Sequence, residues 1–282
     1  MKERVISGIV IAVVLIGVWF FFINTIVFDI FFSALGAAAC FELTRCIGLK
    51  NKFMQGVAIV FSFVWAMGLV YPSVCPLSAV AVLYVIFLAL MTVTNYPDIT
   101  FEHLAGTVYA SIVIPTAFAM SPIIADLYKT FTFLDRMECK FFIWYVVASA
   151  LFTDVFAQLS GMAFGKHKVT PNLSPKKTWE GCIGGVVVVF FLNLLWYFLY
   201  VKFFATQPFG LPLWFYCLMS PFMSIASMFG DLIASLIKRN YDIKDYSKLI
   251  PGHGGIMDRF DSVIMVLPMF YAFISIYGSV VA

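Results

Sequence analysis

The chain is short of charge. Only 12% of its 282 residues are Asp, Glu, Lys or Arg, while 62% are apolar. An average soluble domain is roughly a quarter charged and about half apolar. Mean hydropathy is +0.98, more apolar side chain than a water-soluble protein of this length can hide and far more than a disordered chain contains. Cysteine is sparse as well. The six cysteines, at 40, 46, 75, 139, 182 and 217, show no C-x-x-C spacing. That excludes a disulfide-stapled secreted scaffold and gives no zinc signature, so they read as free, buried thiols. A net charge of +3 is too small to point to a nucleic-acid partner. The class left is an integral membrane protein with several spans.

Long apolar runs are what the chain has in abundance. Crossing the hydrocarbon core takes about 20 residues of helix. The runs are continuous rather than alternating, which selects helices over a closed barrel. They predict an all-α polytopic protein with nine spans, at about 5–23, 26–44, 54–71, 77–94, 104–125, 141–162, 182–201, 211–236 and 261–281. The first run is long enough to span and carries no A-x-A-like cleavage site, so it reads as an uncleaved helix. With the N-terminus in the cytoplasm, 14 of the 18 Lys and Arg residues fall on the cytoplasmic side. The asymmetry obeys the positive-inside rule and predicts cytoplasmic loops at 163–180 and 238–258.

Those two regions, taken as 161–181 and 238–261, are unlike the rest and hold nine of the cations. They divide the chain into an N-terminal region of about five spans, 1–140, and a C-terminal region, 141–282, that carries the chemistry. Asp231 lies inside the eighth span, where an ionised carboxylate costs about 2.5–3.5 kcal/mol on insertion scales. Ser227, Asp231 and Ser235 recur at a spacing of four and share one helical face, with Lys238 and Arg239 further along. Asp154 and Gln158 make a similar pair in the sixth span, which helix–helix hydrogen bonding would also explain. Asp258, Arg259 and Asp261 follow P-G-H-G-G at the start of the ninth. Helix capping accounts for one acid there, not for two acids with an Arg, a His and three glycines. Gly252, Gly254 and Gly255 would let backbone N–H groups approach an anion. Carboxylates at a membrane boundary suit Mg²⁺, and the cations suit phosphates. The residues by themselves predict a metal-assisted reaction on a phosphate ester at the inner surface.

The stretch from Ser235 to Asp261, S-L-I-K-R-N-Y-D-I-K-D-Y-S-K-L-I-P-G-H-G-G-I-M-D-R-F-D, resembles the signature of the phosphatidate cytidylyltransferase (CDP-diacylglycerol synthase) family throughout. S-P-K-K-T-W-E-G at 174–181 and Gly230–Asp231 also look like that family. The residues after Asp154 depart from its pattern. The resemblance implies transfer of a cytidylyl group from CTP to phosphatidate, giving CDP-diacylglycerol and pyrophosphate for phospholipid synthesis. It implies Asp231 and Asp258 as ligands of Mg²⁺ or another divalent cation, with Asp261 as a further ligand. Lys238 and Arg239 join the two acids in the catalytic set. Ser174, Lys176, Lys177, Lys244, His253 and Arg259 become the substrate-binding set. The implied setting is a bacterial cytoplasmic membrane with the site facing the cytoplasm; the reading leaves room for a homodimer. A cytidylyltransferase for another lipid phosphate is the nearer alternative, and a polytopic transporter the more distant one, because the polar residues gather at one face rather than across the bilayer.

Overall fold

The computed structural model describes residues 2–74, 76–205, 208–250 and 254–281. Its regular structure is helical apart from one short hairpin and an isolated bridge between Ile250 and Gly254. The helices are α1 (Lys2–Phe22), α2 (Ile26–Cys46), α3 (Lys52–Val70), α4 (Leu77–Thr94), α5 (Phe101–Ala125), α6 (Arg136–Phe164), α7 (Trp179–Phe203), α8 (Leu213–Asn240) and α9 (Met257–Val281). Strands β1 (Lys168–Thr170) and β2 (Ser174–Thr178) lie between α6 and α7. Eight of the helices, α2 to α9, are long and apolar enough to cross a membrane, and the apolar part described in α1 is the shorter stretch Gly8–Phe22. The protein is an all-α polytopic membrane protein, as its composition predicts.

The chain forms two compact units. The first comprises residues 1–123 and 240–259, the second 124–239 and 260–282. This differs from a division at residue 140: the chain between α8 and α9 belongs with the N-terminal helices. The reason is a set of hydrogen bonds from that loop to α2, described below.

In the first unit, local signals start the helices. Asn51 caps α3 by accepting the N–H of Met54 at 3.0 Å. Thr100 and His103 form a capping box at the start of α5. A single π turn, Tyr109–Val113, interrupts α5 just before Pro115. Gly36 of α2 lies against Pro115, where a Cβ would come 3.0 Å from the proline Cα. Small residues and paired polar groups join these helices, as is usual where lipid supplies no hydrophobic drive. Gln55 donates to Thr44 at 3.2 Å, Trp65 to Thr116 at 2.8 Å and Tyr84 to Ser111 at 2.8 Å.

In the second unit, α6 and α7 pack through Ala157, Gly161, Gly181 and Gly185. A Cβ on Gly181 would stand 2.6 Å from the Ala157 carbonyl oxygen. This contact sets the base of the hairpin, which the sequence reading treats as plain loop. β1 and β2 pair antiparallel, with Lys168 opposite Thr178. Thr178 caps α7 by accepting the Gly181 N–H, and Glu180 accepts the N–H groups of Lys166 and His167. At the far end of α6, the fully buried Glu138 accepts from Gly210 N, Leu211 N and the Tyr216 hydroxyl, at 2.8, 3.0 and 2.6 Å. Cys40 and Cys139 are buried while Cys46, Cys182 and Cys217 are half-buried, all as free thiols. The thiols are free, as the spacing predicts, and full burial holds for two of the five described. Cys75 lies outside the described residues.

Candidate active site

Asp231 sits in the C-terminal half of α8, one residue after Gly230. Gly230 matters because α9 passes directly over it. A Cβ there would lie 2.4 Å from the backbone oxygen of Asp261 and 3.1 Å from Ser262 Cα. The close approach brings Asp231 beside the start of α9. Ser262 then donates its hydroxyl to Asp154 of α6 at 2.8 Å, and its N–H to the Asp261 carboxylate at 2.8 Å. Asp154, Asp231 and Asp261 feel one another's charge. Three helices therefore bring three acids to one place in the second unit.

The cations facing them come from two directions. Lys177, at the end of β2, pairs with Asp231 at 2.7 Å and donates to the Met228 carbonyl at 3.2 Å. Lys238, two turns along α8, lies within electrostatic reach of Asp261. The cluster is open to the outside. Asp154 and Arg239 are exposed, and Asp231, Asp261, Lys177 and Lys238 are half-buried. Ser174 is half-buried and Lys176 exposed on the same strand as Lys177.

Asp258, Arg259 and Lys244 belong to the first unit. The Asp258 carboxylate accepts the N–H groups of Tyr246 and Gly255, both at 2.9 Å. It thus caps α9 from within, closing the loop back on itself. Gly254 takes a positive φ of 82°, and a Cβ there would meet the Asp258 carboxylate at 2.8 Å. The anions at the described glycines are the protein's own side chains. Lys244 and Arg259 are exposed. Gly252 and His253 lie outside the described residues.

The structure therefore brings together Asp231, Asp261, Lys177 and Lys238 from the expected set, and adds Asp154. Its only sign in the sequence is a carboxylate within an apolar run, a feature that helix–helix hydrogen bonding shares. Glu42 was missed altogether. It lies in F-E-L-T-R-C at the end of the second apolar run, yet it is 1% exposed and holds the loop that carries Asp258.

Comparison with known proteins identifies the family. The sequence model of the Cytidylyltransferase family matches residues 2–277. The chain belongs to the cytidylyltransferase family. Its similarity to individual members runs the full length. The chain is 30% identical to the phosphatidate cytidylyltransferase of Bacillus subtilis (strain 168), covering 99% of both chains. It is 30% identical to that of Brucella abortus biovar 1 (strain 9-941), over 99% of this chain and 94% of the other. The Haemophilus influenzae enzyme of the same name is also 30% identical, over 97% and 98%. The first 140 residues thus share in the likeness, although they carry only apolar spans and none of the signature.

Proposed function

We propose that the protein transfers the cytidylyl group of CTP to phosphatidate, releasing pyrophosphate and leaving CDP-diacylglycerol in the membrane. The observation that carries this reading is the open cluster of Asp154, Asp231 and Asp261 beside Lys177, of which Asp231 and Asp261 lie on the two helices that carry the 27-residue signature. In the reaction a phosphate oxygen of phosphatidate bonds to the α-phosphorus of CTP. The bond from that phosphorus to the oxygen bridging it to the β-phosphate breaks, and pyrophosphate departs with the electron pair. The nucleophile is already an anion, so no strong general base is required. The difficulty is holding two polyanions together and stabilising charge on the leaving group.

Cations of this chain meet that demand. Arg239 lies eight residues beyond Asp231 on α8, about 12 Å at 1.5 Å per residue, a distance a triphosphate can bridge. Lys177 pairs with Asp231 from the hairpin, on the strand that also carries Lys176 and Ser174. The signature adds Lys244, His253 and Arg259 to the phosphate-binding set. Asp231 and Asp261 are oxygen donors of the kind a hard divalent cation such as Mg²⁺ takes. Among the described residues no group of three or more His, Cys, Asp or Glu side chains is placed to hold a metal ion. Mg²⁺ does not need one, since it binds through one or two carboxylates with water and substrate phosphates. Asp231 and Asp261 would hold it, with Asp258 added by the signature. Bound there, the ion would neutralise the triphosphate.

The site faces the cytoplasm in this reading, with the N-terminus inside, because CTP is cytosolic and the cationic loops obey the positive-inside rule. A bacterial cytoplasmic membrane is the matching location. The test is direct. Purified protein in detergent receives radiolabelled CTP and phosphatidate, and label is followed into the lipid phase alongside pyrophosphate release. Both should appear in equal amounts and depend on phosphatidate. Label transfer to another lipid phosphate alone would reassign the substrate, and no transfer to any lipid would refute the reading.

A further inference from the structure

We propose that Glu42, on α2, is a positioning residue that sets the signature loop and the first turn of α9; the inference rests on the function proposed above. Glu42 is 1% exposed. One of its oxygens accepts the Ser247 hydroxyl at 2.6 Å and the Ile256 N–H at 3.0 Å; the other accepts the Met257 N–H at 2.9 Å. Among the described residues no Lys, Arg or His pairs with it. Its charge is met by backbone N–H groups at the start of α9.

Those N–H groups are ones a helix leaves without internal partners, and they carry the positive end of the helix dipole. A carboxylate supplied from another helix satisfies them and fixes where α9 begins. Asp258 is the next residue, and its own carboxylate takes the N–H groups of Tyr246 and Gly255. The two acids together clamp both sides of the loop. Gly255 completes the fit: a Cβ there would lie 2.4 Å from a Glu42 oxygen and 2.6 Å from its carboxyl carbon. Glycine is needed at this position because Glu42 packs against its Cα. Any movement of Glu42 is passed to Met257 and so to Asp258 and Arg259.

Glu42→Gln keeps the size but turns one oxygen into a donor facing a backbone donor. The full-length variant is purified in detergent and compared with wild type in amide hydrogen exchange over 246–258, in kcat and KM, and in melting temperature. Exchange at Ile256 and Met257 should rise about 10-fold or more, the effect of losing a charge-assisted bond. Turnover should fall about 10- to 100-fold well below the melting temperature, since misplacement near 1 Å costs up to that much. KM for CTP should change far less than kcat. A folded Glu42→Gln enzyme with wild-type kcat and wild-type exchange overturns the proposal, as does a lowered melting temperature with kcat unchanged. Should Glu42→Gln fail to fold, Ser247→Ala and Gly255→Ala decide: both should raise exchange and lower kcat, and wild-type values in both overturn it. If wild-type protein does not turn over CTP with phosphatidate, the function proposed above fails, and exchange still decides whether Glu42 clamps the loop.

Discussion

Gly230→Ala tests the geometry of the acid cluster more sharply than removing an acid. The added methyl would stand 2.4 Å from the Asp261 backbone oxygen, whereas ordinary contact begins at 3.4 Å. The deficit is about 1.0 Å. The obstructing atom is backbone within α9, so no side chain can rotate away; α8 and α9 must separate or tilt. Overpacking of this kind costs about 1–3 kcal/mol of stability. The catalytic cost should be larger, because the displaced turn holds Asp261 and the Ser262 hydroxyl that bonds Asp154. A shift near 1 Å in a reacting geometry can cost about 100-fold. The assay is kcat/KM for phosphatidate-dependent conversion of CTP, with melting followed in the same detergent. Gly56→Ala in α3 is the control, since a Cβ there meets nothing within 4 Å. It should keep full activity and gain about 0.5–1 kcal/mol from the better helix residue. Wild-type kcat/KM and melting in Gly230→Ala would refute the claim that this contact positions the acids.

Three further outcomes are expected. Asp231→Asn and Asp258→Asn should each lose activity severely while staying folded; if both serve one ion, the double variant is little worse than either single. Multiplying losses would show that they act separately. Arg239→Lys should lower turnover although the charge is kept, because an ammonium cannot reproduce a bidentate guanidinium; unchanged kcat and KM would show that Arg239 only reaches for the membrane interface. Single cysteines at positions 168 and 248, in a cysteine-free background, should resist an impermeant thiol reagent added to intact cells, and labelling from outside would overturn the orientation.

The membrane class, the helical character of the apolar runs and the family signature were legible in the residues themselves. Each depends on local composition. A run of about 20 apolar residues spans whatever packs beside it, and Ser235–Asp261 carries its fixed polar positions in one continuous stretch. Asp231 stood out for the same reason, as a charge within such a run. Helix ends were less legible. α8 continues to Asn240 and α9 begins at Met257, so Asp258 lies inside a helical turn and its carboxylate serves as a cap. The hairpin depends on Glu180 folding back to Lys166 and His167, a pairing across a polar stretch with no period to reveal it.

Other features were decided only by tertiary structure. Asp154 became part of the acid cluster because Gly230 lets α9 close on α8 and carry Ser262 to it. The loop before α9 joined the N-terminal unit because Glu42 bonds Ser247 from 205 positions away in the chain. A buried carboxylate must find donors, and the sequence around it states that need without naming the donors. Which N–H groups answer depends on the helices that packing sets side by side, and no local pattern of residues records that choice.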